Sequence, residues 1–356
     1  MMAPYLHDGG MAEDLAGLTG EQRERWSTVL AHLTAAVPAG APSVHVDGSG
    51  GSGGGARLLA DRLAATLRAA GRTCVRVSDA ACANHADVRT GRTPDTAVIA
   101  DGPRWRDHVP TTEWALTIWV RTAAGAGGYR GDDAHVVVDL HDPGWPVIRH
   151  IDGWFAPHGA WYRSETRAFF GARAATWNAR FGDDLPAYAA AVADATVAPG
   201  GVAVDVGCGT GRALPALRDA VGADGRVIGI DLTPQMLAVA RLAATASGAL
   251  LVVADARHLP LATGSVDAVF AAGLITHLPD TDAGLRELAR VTRPGGRLVL
   301  FHPSGRAALA ARYGRELRPD DPLAETPLRL AAERTGWTLT TYDDPPHRFL
   351  AVAARR

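Results

Sequence analysis

Short apolar runs recur along the chain, several of them ending in a glycine turn or an acidic residue, and they alternate with segments of helical periodicity. That alternation predicts α/β architecture with parallel strands buried on both faces. In the first half, Leu15, Leu18, Trp26, Leu30 and Leu33 fall in helical register and predict a helix over 12–36, ended by Pro38 to Pro42. A short strand is predicted over 43–47. A strong helix follows over 56–70, with Leu58, Leu59, Leu63 and Leu67 on its apolar side and Gly71 at the usual C-terminal glycine position. Further strands are predicted over 73–77, 96–100, 114–121 and 135–140, giving a first α/β domain over about 1–155.

The second half repeats the scheme with cleaner signals. Val202, Ala203, Val204 and Val206 predict a strand that runs into Gly207, Gly209 and Gly211, and 213–220 then reads as a helix. Strands are predicted over 226–230, 249–253, 265–270 and 297–301, and a closing pair over 337–342 and 348–354. Residues 156–356 form the second domain, of which 156–199 is a connector rich in aromatic residues.

Strand, glycine turn and helix open a nucleotide-binding unit, because glycine lets the backbone turn sharply and approach a ligand. The uncapped N–H groups of the following helix favour an anionic group. Spacing then separates the possible ligands. A dinucleotide fingerprint reads G-x-G-x-x-G/A, whereas here Gly211 comes one residue early and Arg212 takes the last place. Asp231 follows Gly211 by 20 residues, at the end of its strand, where a carboxylate can grip ribose hydroxyls.

Five pieces in order, DVGCGTG, IGIDLTPQML, ADARHLPL, SVDAVFAAGLITHL and RPGGRLVLF, resemble the class I S-adenosylmethionine-dependent methyltransferases. Within that family the small-molecule group that includes the quinone-biosynthesis enzymes is the most similar, over about 166–356. The resemblance implies a Rossmann-like seven-stranded sheet with S-adenosylmethionine as cofactor. It implies that Gly207, Gly209 and Gly211 pass beneath the methionine moiety, that Asp231 binds the ribose and that Asp255 with Ala256 meets the adenine. Asp205, Cys208, Leu232, Met236 and Gly273 complete the implied cofactor-binding set. His277 lies where a histidine in this family often stands near the transferred methyl. It reads either as a general base or as a packing residue. His302, after the fifth strand, is the second catalytic candidate, while His258 reads as a solvent-facing loop residue. The connector resembles the family's helices before the first strand. Its Phe169, Phe170, Trp177 and Tyr188 read as either caps of the cofactor site or ordinary packing.

A second glycine tract, GSGGSGGG over 48–55, sits between the strand at 43–47 and the helix at 56–70. A flexible linker rarely sits between a buried strand and a tight helix. Against G-x-x-x-x-G-K-[ST], Gly48 and Gly53 match, but Gly54 replaces the lysine and Gly55 the hydroxyl residue. Over about 43–152 the flanks resemble the uridine-kinase-like P-loop kinases. That likeness implies a degenerate P-loop-kinase-like domain without its phosphate-holding side chains. Arg57 is the nearest substitute cation, with a different reach and shape.

Composition narrows the rest. At 356 residues two domains are expected, and 47% hydrophobic with 21% charged content fits a globular chain. A net charge of −2 gives no basic field for nucleic acid or an anionic membrane. No apolar run reaches a membrane span, and the acidic start (Asp8, Glu13, Asp14) does not resemble a signal peptide. Cys74, Cys82 and Cys208 show no metal-ligand spacing, so no metal is expected and reduced cytoplasmic thiols are the simplest reading. The chain contains no lysine at all, which removes any lysine Schiff base or lysine general base.

The sequence therefore predicts a cytoplasmic enzyme that moves a methyl group from S-adenosylmethionine to an O, N or C nucleophile of a small molecule. Two alternatives stay open: a nucleotide-binding P-loop protein with an accessory S-adenosylmethionine domain, and a non-catalytic scaffold. Neither the acceptor nor the oligomeric state is legible.

Overall fold

The computed structural model describes residues 17–49, 54–78, 95–123, 134–156, 159–181, 183–312 and 317–356. It divides into two compact units, Met1–Glu165 and Thr166–Arg356.

The first unit is built on a six-stranded sheet: β1 (Ser43–Gly48), β2 (Cys74–Val77), β3 (Ala97–Asp101), β4 (Leu116–Arg121), β5 (Val136–Asp139) and β6 (Val147–Ile151), in the order β2-β3-β1-β4-β5-β6. All neighbours pair in parallel except β5 and β6. β3 and β5 are buried at every residue, as expected of strands covered on both faces. Of the helix predicted over 12–36, the described residues are helical from Gly20 onward. It spans Gly20–Ala36, because the Thr19 side chain accepts the Gln22 N–H while Gln22 reaches back to the Thr19 N–H. Residues 12–16 of that expectation lie outside the described residues, as do Cys82 and 50–53 of the glycine tract.

Strand β6 was not expected. Asp142 accepts the Gly144 N–H at 2.8 Å and its carbonyl accepts the Trp145 N–H, which turns the chain back on β5 as a hairpin. Arg25 is paired with Glu165 in the interior, and Glu165 also accepts the Ile148 N–H at 2.7 Å. Burial pushes the Glu165 carboxyl up and the Arg25 charge opposes it. The pair fixes the hairpin against the helix Gly20–Ala36.

The second unit carries a seven-stranded sheet: β7 (Val202–Val206), β8 (Arg226–Asp231), β9 (Leu250–Val253), β10 (Val266–Ala272), β11 (Thr292–His302), β12 (Trp337–Asp343) and β13 (Phe349–Arg355). The order is β12-β13-β11-β10-β7-β8-β9, with β13 antiparallel to both neighbours and the other pairs parallel. Strand order reverses between β7 and β10, so the crevice at their carboxyl ends is the topological switch point where such sheets bind ligands. β11 begins five residues before the predicted 297, since the Pro294-Gly295-Gly296 stretch still runs within the strand, with Gly295 at φ +78°. Beneath the sheet, Ala203, Leu214, Leu217, Val227, Phe270, Phe301 and Val352 share one core.

Candidate cofactor crevice

The glycine turn after β7 is held against β8. The N–H groups of Gly207 and Cys208 both reach the Ile230 carbonyl, at 2.8 and 3.0 Å. Gly207, Gly209 and Gly211 have φ of +75°, +53° and +81°, the left-handed region that glycine enters without a Cβ penalty. At Gly211 a Cβ would lie 2.9 Å from the Leu214 side chain and 3.3 Å from Ala240, so that position is filled by packing as well. At Gly209 a Cβ would meet nothing within 4 Å. The helix Leu214–Val221 then begins without a side-chain cap.

Asp231 closes β8 and faces this turn. One carboxylate oxygen accepts the Gly209 N–H at 2.9 Å, the other the Thr233 N–H at 2.7 Å. A carboxylate has about four lone-pair directions, so these two bonds fix the group and leave acceptor capacity for two hydroxyls. Burial pushes its pKa up, and the Thr233 and Gly209 N–H bonds pull the other way. Leu232 and Met236 are buried beside it. The Leu232 carbonyl accepts Arg167 Nε at 3.0 Å.

Asp205 lies on β7 opposite Gly229 of β8 and Phe270 of β10. It is 2% exposed, and one of its oxygens has no hydrogen-bond partner. Burial, and then the Asp231 charge, push its pKa up to about 8, so at neutral pH the group is mostly the neutral acid. The buried Cys208 thiol is also pushed up, by burial first and then by the Asp205 and Asp231 charges, which keeps it protonated and unreactive. Asp255 is buried at the end of β9 and bonded by Arg257 through its guanidinium (Nη2 at 2.8 Å) and its backbone N–H (3.0 Å). Burial raises the Asp255 pKa, but the bonds from Arg257 outweigh it and hold the carboxyl below its usual value. Ala256 is buried next to it.

His277 ends a single turn, Ile275–His277, after β10 and Gly273. Its ring meets Phe170 edge-on with centroids 5.2 Å apart, and Phe170 in turn meets Phe169 at 5.0 Å and Trp177 at 5.6 Å. The connector's Phe169, Phe170 and Trp177 thus form one aromatic group with His277. Tyr188 is elsewhere: it packs on Phe301 at 5.0 Å and Phe270 at 6.2 Å, in the core rather than with that group. His302 ends β11, and its Nδ1 lies 3.0 Å from the Ser304 N–H and 2.9 Å from the Ser304 carbonyl. Burial lowers its pKa, so the ring is a neutral imidazole at neutral pH. His258 is exposed, as expected.

The sequence did not single out the side chains that tie the connector to the glycine turn. Thr210 Oγ1 donates to Asn178 Oδ1 at 2.7 Å, Arg212 Nη1 donates to the same oxygen at 3.1 Å, and Arg212 Nε donates to Asp184 at 2.6 Å. These contacts join residues about thirty positions apart, and no periodic pattern marks them.

In the first unit, Gly48 donates its N–H to the Asp47 carboxylate at 2.7 Å and Ser49 donates its own to the Val120 carbonyl at 2.9 Å. Two amides of the tract are thereby engaged within the protein. Gly54 and Gly55 open the helix Gly54–Ala69, and a Cβ at Gly55 would lie 2.7 Å from the Thr122 methyl. Among the described residues no group of three His, Cys, Asp or Glu side chains is arranged to hold a metal. No helix among them is long and apolar enough to cross a membrane.

Residues 204–300, from β7 to β11, match the family described as "Methyltransferase domain". The chain is 40% identical over 108 residues to methyltransferase GfsG of Streptomyces halstedii, covering 29% of this chain and 38% of that protein. It is 40% identical over 111 residues to demethylmenaquinone methyltransferase of Shouchella clausii, covering 30% of this chain and 47% of that protein. An uncharacterized 37.1 kDa transposon protein of Streptomyces fradiae is 41% identical over 123 residues, covering 34% of this chain and 36% of that protein. The chain spans less than half the length of each of these relatives. The stretch of the second unit that carries the glycine turn and Asp231 thus matches a methyltransferase domain, a family whose methyl donor is S-adenosylmethionine. The left-handed glycine turn and the spare acceptor capacity of Asp231 fit that molecule.

Proposed function

We propose that the protein transfers a methyl group from S-adenosylmethionine to an oxygen, nitrogen or carbon nucleophile of a small molecule. One observation carries this reading. Asp231 is fixed by two backbone N–H groups beside three left-handed glycines, at the switch point of the sheet and inside the matched residues. The names of the relatives, one of them a demethylmenaquinone methyltransferase, favour a small-molecule acceptor.

S-adenosylmethionine, when bound, supplies an electrophilic methyl on a sulfonium. The chain's own residues bind and orient it. Gly207, Cys208, Gly209 and Gly211 present backbone to its methionine part, and Asp231 accepts from the ribose hydroxyls. Asp255 and Ala256 meet the adenine, while Leu232, Met236 and Gly273 line the crevice. Asp205, on the strand before the turn, is a buried neutral acid and so adds no negative charge near Asp231. Most of the rate then comes from alignment and exclusion of water. His277 takes a proton from the acceptor, with Phe170 holding its ring, and His302 is the second candidate for that role.

The first unit reads as a P-loop-kinase-like domain that has lost its phosphate-holding side chains. Its support is the glycine tract between the central strand β1 and a buried helix, with glycine at both functional positions. A cytoplasmic location is the matching proposal, supported by the free thiols of Cys74 and Cys208.

The test is incubation of the full chain with S-adenosylmethionine carrying an isotopically labelled methyl and a small-molecule extract, read by mass spectrometry. Labelled product supports transfer. Cofactor binding without any labelled product favours the scaffold alternative.

A further inference from the structure

We propose that Asn178 is a positioning residue for the cofactor crevice, holding the glycine turn from the side opposite β8. The proposal rests on the methyltransferase reading for its functional meaning, but its structural content stands without it.

The turn 207–211 has two sides. Towards β8 it is pinned by backbone bonds to Ile230 and by the Gly209 N–H on Asp231. Three of its residues are left-handed glycines, which lose the most conformational freedom when ordered. A turn of this composition needs a second anchor if its backbone is to keep one shape beside a ligand. Thr210 supplies it. The residue is 4% exposed, and its hydroxyl donates to Asn178 Oδ1 at 2.7 Å. Arg212, the residue after the turn, donates to the same oxygen at 3.1 Å and to Asp184 at 2.6 Å. One amide oxygen thus receives two donors from either side of Gly211.

The segment that carries Asn178 is itself fixed at the other wall. Arg167 donates to the Leu232 carbonyl at 3.0 Å, one residue past Asp231. Phe170 and Trp177, between Arg167 and Asn178, belong to the aromatic group at His277. One stretch of chain therefore grips the ribose wall, the methionine wall and the catalytic candidate. Asn178 is the point where it meets the turn. Substituting Asn178 leaves the buried Thr210 hydroxyl without this acceptor and loosens the turn, so cofactor affinity falls more than the rate at saturation. An aspartate at 178 keeps the acceptor oxygen and should restore the turn.

The test uses the full chain in two arms. In the ligand-free protein, hydrogen exchange of the amides at 208–212 is expected to quicken about tenfold in Asn178→Ala, as loss of a local anchor predicts, while amides of β8 keep their rate. By calorimetry, S-adenosylhomocysteine is expected to bind Asn178→Ala about tenfold more weakly, and Asn178→Asp within about twofold of wild type. A double-mutant cycle with Thr210→Val should show the two losses to be non-additive. Exchange at 208–212 that is unchanged in Asn178→Ala overturns the proposal, whatever the ligand does. Wild-type protein that binds no S-adenosylhomocysteine refutes the methyltransferase reading, and the exchange arm still decides the anchoring.

Discussion

The Gly209 N–H donates to the Asp231 carboxylate at 2.9 Å, a bond that joins the glycine turn of β7 to the end of β8. It sets the turn and the ribose acceptor as one unit, because Asp231 cannot rotate without releasing Gly209. The second oxygen, held by the Thr233 N–H at 2.7 Å, removes the remaining freedom. The crevice is thus preorganised by bonds within the chain rather than by its ligand.

His277 is held edge-on to Phe170 at the carboxyl end of β10. If it removes a proton from the acceptor, His277→Ala is expected to slow turnover by about 10²–10⁴-fold with little change in S-adenosylmethionine affinity. Single-turnover rates and calorimetry on the same variant separate the two effects. Near wild-type turnover would return His277 to a packing role.

Asp205 makes stability depend on pH. Its pKa rises from 3.8 to about 8 on folding, through burial and then the Asp231 charge. The folded chain therefore keeps a proton that the unfolded chain releases. The associated stability is complete below about pH 4 and is lost as pH rises through about 8, at no more than about 1.4 kcal/mol per pH unit. Asp205→Asn is neutral at every pH and nearly the same shape. The Tm of wild type is expected to fall relative to that variant between about pH 5 and pH 9. Parallel profiles would mean that Asp205 is ionised in the folded chain.

In the first unit, no transfer of phosphate from ATP to any nucleoside is expected, since Gly54 and Gly55 stand where a lysine and a hydroxyl hold phosphate and magnesium. A kinase assay with magnesium and a nucleoside panel checks this, and phosphorylated product well above background would contradict it. Restoring the side chains is also costly. A serine at 55 places its Cβ 2.7 Å from the Thr122 methyl, so Gly54→Lys, Gly55→Ser is expected to lower the Tm.

Much of this was legible in the chain itself. Apolar runs located β7 to β13, several of them closed by glycine or aspartate, and β7 occupies the residues its pattern predicts. The hairpin strand β6 escaped because Pro146 precedes it and Arg149 and His150 interrupt its short apolar run, which weakens the strand signal. The start of the helix Gly20–Ala36 depends on Thr19 and Gln22 capping each other, which apolar register does not record. Tyr188 shows the limit for aromatic residues: the sequence left cap and packing open, and its contacts with Phe270 and Phe301 are those of packing. The burial of the Asp205 carboxyl and the reach of Asn178 to Thr210 both depend on long-range packing, which spacing along the chain does not record.

The most direct measurement is calorimetric titration of the full chain and of Asp231→Ala with S-adenosylhomocysteine. The wild type is expected to bind one equivalent. The variant loses the acceptor for ribose hydroxyls, and charge-assisted bonds of about 1.5–3 kcal/mol each imply a fall in affinity of at least about tenfold. Equal affinity in the two proteins, or no binding by the wild type, would contradict the assignment of this crevice.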